Sequence, residues 1–380
     1  MTDLGPNAHL IGVAGSRASL DTPALILDLD IMERNIASMA AHARGVGVNL
    51  RPHAKTHKSV KIAELQVQAG ALGVCCATLG EAEVMVRAGI PGVHITSPQV
   101  TLSKIERLFA LNAHDHHGFS VVVDNPTNLT ALAAAAQADG KPLDVLVDFY
   151  AGHGRTGAQT EEAVLELAWG IGASRVLRFR GLQAYAGNLQ HLAKREERRA
   201  RTLDVLKRLA AIVERLKKEG IPVPIVTGAG TGTFDLDPEA HVFTELQVGS
   251  YIFMDVDYNN ALREGRNTLP FETSLFVQTA VVSTNAPGYV TCDAGLKAFA
   301  TDGPKPEIAR GAPEGATYTF FGDEHGKLIL PEGAPRPEIG HRLECVTPHD
   351  DPTVNLYDVY HVVRGDTLVD IWPVDARGKR

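Results

Sequence analysis

From about residue 22 to about residue 260, short runs of β-branched and apolar residues alternate with longer stretches whose apolar positions recur every three to four residues. Residues 24–29 read as a strand, and Asp30 stands where it can cap the helix predicted over 32–44. Residues 73–77 read as a strand ahead of a helix carrying Glu81, Ala82 and Val86. Runs at 93–96, 120–124, 144–148 and 181–185 repeat the pattern, each followed by a helix-like segment. The longest helix is predicted over 197–219, where Leu203, Leu206, Leu209, Val213 and Leu216 fall at helical spacing and Gly220 and Pro222 end it. Residues 224–226 and 245–248 supply further strands. About eight strand–helix units in roughly 240 residues is the size of a (β/α)8 TIM-like barrel, with a doubly wound open sheet as the alternative.

After residue 265 the rhythm changes. Short β-like runs at 276–283, 288–291, 318–321, 342–346 and 360–364 are separated by Gly and Pro turns, with no long helical pattern. The prediction is an α/β chain: a barrel over 20–262 and a β-rich C-terminal domain over 263–380, with residues 1–19 expected to pack against the latter. A length of 380 residues suits one large and one smaller domain.

A hydrophobic fraction of 44% and a charged fraction of 22% are ordinary for a globular protein, and a net charge of −8 argues against a nucleic-acid partner. The basic run at 194–201 is interrupted by Glu196 and Glu197 and reads as the solvated start of a helix. No apolar stretch approaches the ~20 residues of a membrane span, and no signal peptide is evident. Cys75, Cys76, Cys292 and Cys345 read as reduced, buried thiols of a cytoplasmic protein.

Candidate chemistry concentrates after predicted strands. Arg51-Pro-His53-Ala-Lys55-Thr-His57-Lys58 follows a strand over 48–50, where a barrel places catalytic groups. A lysine desolvated among cationic neighbours can form a Schiff base, whereas a solvated basic loop would look similar. Thr227-Gly-Ala-Gly-Thr231-Gly-Thr233 and Gly249-Ser250-Tyr251 also follow strands, late in the barrel, where main-chain N–H groups and hydroxyls cradle phosphates in many barrels. Gly152-His-Gly-Arg155 can bring a guanidinium to an anionic oxygen. His191 is a candidate acid or base, and His349-Asp-Asp351 suits a divalent ion with positions left open for substrate.

In this order, the segments resemble the D-threonine aldolase family, a branch of the alanine-racemase-like pyridoxal 5'-phosphate (PLP) enzymes. D-serine dehydratases and 3-hydroxy-D-aspartate aldolases share most markers. These also include Asp21-Thr-Pro, Gly-Leu-Gln-Ala-Tyr185, Asp293-Ala-Gly-Leu-Lys297, Asp323-Glu-His-Gly and the run from His349 to Asn355-Leu-Tyr. The resemblance implies that Lys55 carries PLP, Arg155 contacts its phenolic oxygen and Tyr185 lies beside its ring. It implies a phosphate site of Thr231, Gly249, Ser250 and Tyr251, and a metal pair of His349 and Asp351 with Asp350 as spacer. Dehydratase relatives usually carry a cysteine in place of Asp351, so the carboxylate here favours Mn²⁺ or Mg²⁺ over Zn²⁺ and aldol cleavage over dehydration. The expected activity is PLP- and metal-dependent cleavage of D-threonine and related D-β-hydroxy amino acids to glycine and an aldehyde, with His191 or a metal-bound water as base. D-serine or D-3-hydroxyaspartate dehydration and 3-hydroxy-D-aspartate cleavage are the alternatives, and a homodimer is the expected assembly. A non-catalytic PLP carrier of similar barrel would lack the β-rich C-terminal region. One departure is Ala77-Thr78, where many aldolase relatives carry Gln-Lys after the paired cysteines.

Overall fold

The structure is a computed structural model, and it describes residues 4–113, 118–264 and 266–380. Two compact units emerge. One gathers Met1–Ser38, Thr56–Ser59 and Ser250–Arg377, and the other gathers Met39–Lys55, Val60–Gly249 and Gly378–Arg380.

The strands in chain order begin with β1 (Ala24–Asp28). Then follow β2 (Asn49–Leu50), β3 (Cys75–Cys76), β4 (His94–Ile95), β5 (Ser120–Val123), β6 (Leu143–Asp148), β7 (Leu177–Ala184), β8 (Ile225–Gly228) and β9 (Glu245–Leu246). In the second unit, β2 to β9 form one parallel sheet in the order β2-β9-β8-β7-β6-β5-β4-β3. Its two ends meet. Leu72 N–H donates to Leu50 O and Cys75 N–H to Pro52 O, both at 2.8 Å, and His53 bridges Cys75. The sheet is thus the expected TIM-like barrel. Its strands are almost wholly buried, because helices cover the outside and polar ladders fill the middle. The longest helix, Arg195–Lys218, matches its predicted span within two residues, and Gly220 at φ 78 takes the left-handed turn beyond it.

The other unit holds β10 (Leu275–Ser283), β11 (Tyr289–Cys292), β12 (Glu307–Arg310), β13 (Thr317–Phe320), β14 (Gly326–Ile329), β15 (Arg342–Val346), β16 (Val359–Arg364) and β17 (Thr367–Pro373). They form a mostly antiparallel sheet of order β13-β14-β11-β10-β1-β16-β17, with β15 pairing both β10 and β12. Here the structure corrects the sequence reading. β1, expected to open the barrel, runs antiparallel to β10 (Ala24 opposite Gln278) and parallel to β16 (Ile26 opposite His361). The short strand Asn49–Leu50 takes its place in the barrel. The cap is also corrected. The helix Leu29–Val46 begins before Asp30, and Asp28 Oδ1 accepts from Ile31 N–H at 3.3 Å.

Residues ahead of β1 are held in this unit. Gly12 N–H donates to Leu368 O at 2.8 Å, and the buried Arg17 makes paired 2.7 Å hydrogen bonds to Glu344 and a 3.0 Å one to Asp28. All four cysteines are buried and none is in a disulfide. No helix among the described residues is long and apolar enough to cross a membrane.

Candidate active site

The segment around Lys55 is no solvated loop. Arg51 is 8% exposed and spans Glu245 with two 2.8 Å hydrogen bonds, besides donating to Gly92 O. Its charge is therefore neutralised and serves to tie β2 to β9. His53 donates from its main chain to Val248 O at 3.0 Å, and its Nε2 lies 3.2 Å from Thr96 Oγ1. Lys55 N–H donates to His53 Nδ1 at 3.4 Å, which leaves the lysine half-buried just past the barrel strand. In the other unit, Tyr360 O–H donates to His57 O at 2.6 Å and Ala376 N–H to Lys58 O at 2.9 Å. The cluster read from sequence thus resolves into one half-buried lysine between anchoring residues.

At the ends of β6 and β7, Arg155 lies over the Tyr185 ring at 6.0 Å, and His153 meets the same ring edge-on at 6.1 Å. A polar ladder supports them from inside the barrel. Gln183 Nε2 donates to Asp148 Oδ1 at 2.9 Å, and Asp148 Oδ2 accepts from Thr156 Oγ1 at 2.8 Å, next to Arg155. Gly157 N–H donates to Asp124 Oδ2 at 3.0 Å, closing the far side of the Arg155 loop. Burial pushes Asp148 up to about 6 despite those two donors. His94, between Ser120 Oγ at 2.9 Å and Gln183 Oε1 at 3.1 Å, is pulled down to about 4 by burial and the Arg51 charge.

The Gly-rich turn leaves β8 with almost no room to spare. A Cβ on Gly228 would lie 1.9 Å from Ala184 O, and Thr231 is 1% exposed. His191 follows the short helical turn Gly187–Leu189 and is exposed. A primary amine, a guanidinium over a phenol ring, and hydroxyl and main-chain donors on tight turns are the donor set that PLP requires. These residues fit the cofactor.

In the other unit, Ser250 and Tyr251 open the turn Ser250–Ile252, and Tyr251 packs edge-on against Phe271. Ser250 Oγ donates to Asp350 Oδ1 at 3.3 Å, and Asp350 N–H donates to Asp255 Oδ2 at 2.9 Å. Asp350, a spacer in the sequence reading, is thus fully buried and bonded to the segment assigned to phosphate. His349 Nε2 stands 3.7 Å from Asp351 Oδ2, and its Nδ1 bonds Asp302 Oδ2 at 3.0 Å. Potential ligand atoms of Asp255, His349 and Asp350 also lie within 4.8 Å of one another. Burial acts to lower the His349 pKa, but Asp351, Asp255 and Asp302 outweigh it and raise it to about 9. An imidazole held beside carboxylates that favour its cation is an arrangement into which a divalent ion also fits. Asp255, Asp302 and Asp148 have no role in the sequence reading, because only the fold brings them near residues that carry a motif, and Gln183 lies inside the Gly-Leu-Gln-Ala-Tyr185 marker without a role.

Comparison with known proteins agrees with this fold. The alanine racemase N-terminal domain matches residues 27–257, and a putative serine dehydratase domain matches residues 274–363. The D-threonine aldolase of Arthrobacter sp is 42% identical over 361 residues, covering 95% of this chain and 94% of that protein. The 3-hydroxy-D-aspartate aldolase of Paracoccus denitrificans (strain Pd 1222) is 38% identical over 366 residues, covering 95% and 93%. The crystal structure of D-threonine aldolase from Filomicrobium marinum matches with a TM-score of 0.89 at 39% identity, covering 95% of this chain and 96% of that one. Barrel, β-rich unit and these matches together define an alanine-racemase-like PLP enzyme. The chain belongs to the D-threonine aldolase family, as its motifs implied.

Proposed function

We propose that the protein is a PLP- and divalent-metal-dependent carbon–carbon lyase that cleaves D-threonine and related D-β-hydroxy amino acids to glycine and an aldehyde. The observation that carries this reading is the His349–Asp351 pair, an imidazole and a carboxylate 3.7 Å apart, in a chain 42% identical to a D-threonine aldolase. The D-threo-3-hydroxyaspartate dehydratase of Delftia sp. (strain HT23) matches at 28% identity.

PLP, when bound, supplies the electron sink for the pair released at Cα. A bound divalent ion supplies a Lewis acid for the substrate β-hydroxyl. Lys55 would provide the amine that holds the cofactor covalently. Arg155 and Tyr185 orient the ring, the guanidinium already lying over the phenol. Thr231, Gly249, Ser250 and Tyr251 hold the phosphate. His349 and Asp351 hold the ion, with Asp302 fixing the imidazole so that Nε2 faces the carboxylate. His191 accepts the β-hydroxyl proton. A carboxylate at 351 favours Mn²⁺ or Mg²⁺; a homodimer belongs to the same proposal on the family resemblance, and a cytoplasmic location on the four buried cysteines.

Product analysis with D-threonine, D-serine and D-3-hydroxyaspartate, with and without chelator, tests the proposal. Acetaldehyde and glycine from D-threonine, lost on chelation and restored by Mn²⁺ or Mg²⁺, are expected. A 2-oxo acid with ammonia as the products overturns it.

A further inference from the structure

Gln190 is 1% exposed and sits between two segments given different roles above: the Gly-rich turn after β8 and His191, its neighbour in the chain. Its carboxamide is fully engaged. Nε2 donates to Ala186 O at 3.2 Å and to Thr233 Oγ1 at 3.1 Å, while Oε1 accepts from Gly232 N–H at 2.9 Å. The Thr233 hydroxyl, receiving from Gln190, sends its own proton to Asp237 Oδ2 at 2.5 Å. The orientation is fixed by this chain. Turning the amide over would set an N–H against the Gly232 N–H and a carbonyl oxygen against Ala186 O.

The turn is built to lie on this one residue. A Cβ on Gly230 would stand 2.4 Å from Gln190 Oε1, and one on Gly232 would stand 2.0 Å from Gln190 O. The two glycines therefore let the turn reach the side chain and main chain of Gln190. The approach forces a cost within the turn, since Ala229 holds φ 70, a conformation that non-glycine residues keep only where their surroundings impose it.

We infer that Gln190 is a positioning residue that fixes the Gly-rich turn, and hence Thr231, for the phosphate of the cofactor, through a Gln190–Thr233–Asp237 hydrogen-bond chain. This rests on the phosphate assignment of the proposed function. It adds a residue that makes no contact with cofactor or substrate in its role.

The test separates phosphate recognition from general damage. Cofactor is removed from the purified full-length enzyme, and dissociation constants for PLP and for pyridoxal, which lacks the phosphate, are read from cofactor absorbance. Wild type is compared with Gln190→Leu, Thr233→Val and Thr233→Ser, each also followed by thermal unfolding. Losing these buried hydrogen bonds should weaken PLP binding by about tenfold in Gln190→Leu and Thr233→Val, with pyridoxal affinity changed by less than about twofold. Thr233→Ser keeps the hydroxyl and should bind PLP like wild type. Should Gln190→Leu not fold, the Thr233 pair carries the comparison alone. Equal weakening for PLP and pyridoxal, or no weakening, overturns the inference. Wild type that binds pyridoxal as tightly as PLP instead overturns the phosphate assignment, and the inference falls with it.

Discussion

Asp302 accepts a hydrogen bond from His349 Nδ1, which orients the ring so that Nε2 faces Asp351 and is the nitrogen left to bind an ion. Asp302→Asn should therefore weaken retention of the divalent ion by about tenfold, the lower end of what such partners contribute, because Asp302 is more than half exposed. Metal titration followed by calorimetry checks this, and PLP absorbance should stay unchanged. Metal affinity equal to wild type would remove Asp302 from the site. Residues 349 and 351 could be picked out by eye because they sit two apart in a run of metal-ligand types. Asp302 lies 47 positions away from His349, in a stretch without distinctive chemistry, so only the fold reveals the pairing. The same holds for Asp255, whose carboxylate receives Asp350 N–H across 95 positions.

At the scale of elements, periodicity found the long helix and most strands, missed β12, β14 and β17, and could not say which sheet a strand joins. β1 reads Ala-Leu-Ile-Leu-Asp and is buried throughout, so its pattern suits a barrel strand or the middle of the other sheet equally well. The short strand Asn49–Leu50, predicted over 48–50 but not counted among the eight strand–helix units, fills the barrel position. The departure at Ala77-Thr78 has a local structural reading. Thr78 caps the helix Leu79–Arg87 in a reciprocal capping box with Glu81, and Glu81 Oε2 also accepts from Ala77 N–H at 2.7 Å. Thr78→Ala should lower stability by about 1 kcal/mol in urea unfolding, and Thr78→Ser should be nearly neutral. An equal loss in both variants would show that the methyl group, not the cap, matters. The motifs at 293–297 and 323–326 lie against each other in the fold. Leu296 and Lys297 N–H donate to Gly322 O and Asp323 O at 3.1 and 3.0 Å, and Lys297 pairs with Glu324.

Whole-molecule stability should depend on pH through buried groups pulling in opposite directions. His94 is held neutral in the folded chain, its pKa lowered to about 4 from 6.5, so its contribution is present above pH 6.5 and is lost as pH falls toward 4. Asp237 is the reverse case. Burial, aided by the neighbouring Asp235 charge, raises it from 3.8 to about 7, although Thr233 donates to it. Its protonated form is favoured on folding, so its stabilisation is complete below pH 3.8 and is lost as pH rises through about 7. At pH 8 the folded chain must therefore carry a buried carboxylate that the unfolded chain solvates freely. Asp237→Asn retains an oxygen to accept from Thr233 and removes that penalty. The variant should be more stable than wild type at pH 8 by a few kcal/mol, at most about 4, with the difference shrinking steadily as the pH is lowered to 5. Urea unfolding of both proteins at four pH values across that window measures it. A pH-independent difference would mean that Asp237 does not titrate there, and that the Gln190–Thr233 chain ends on a permanently charged carboxylate.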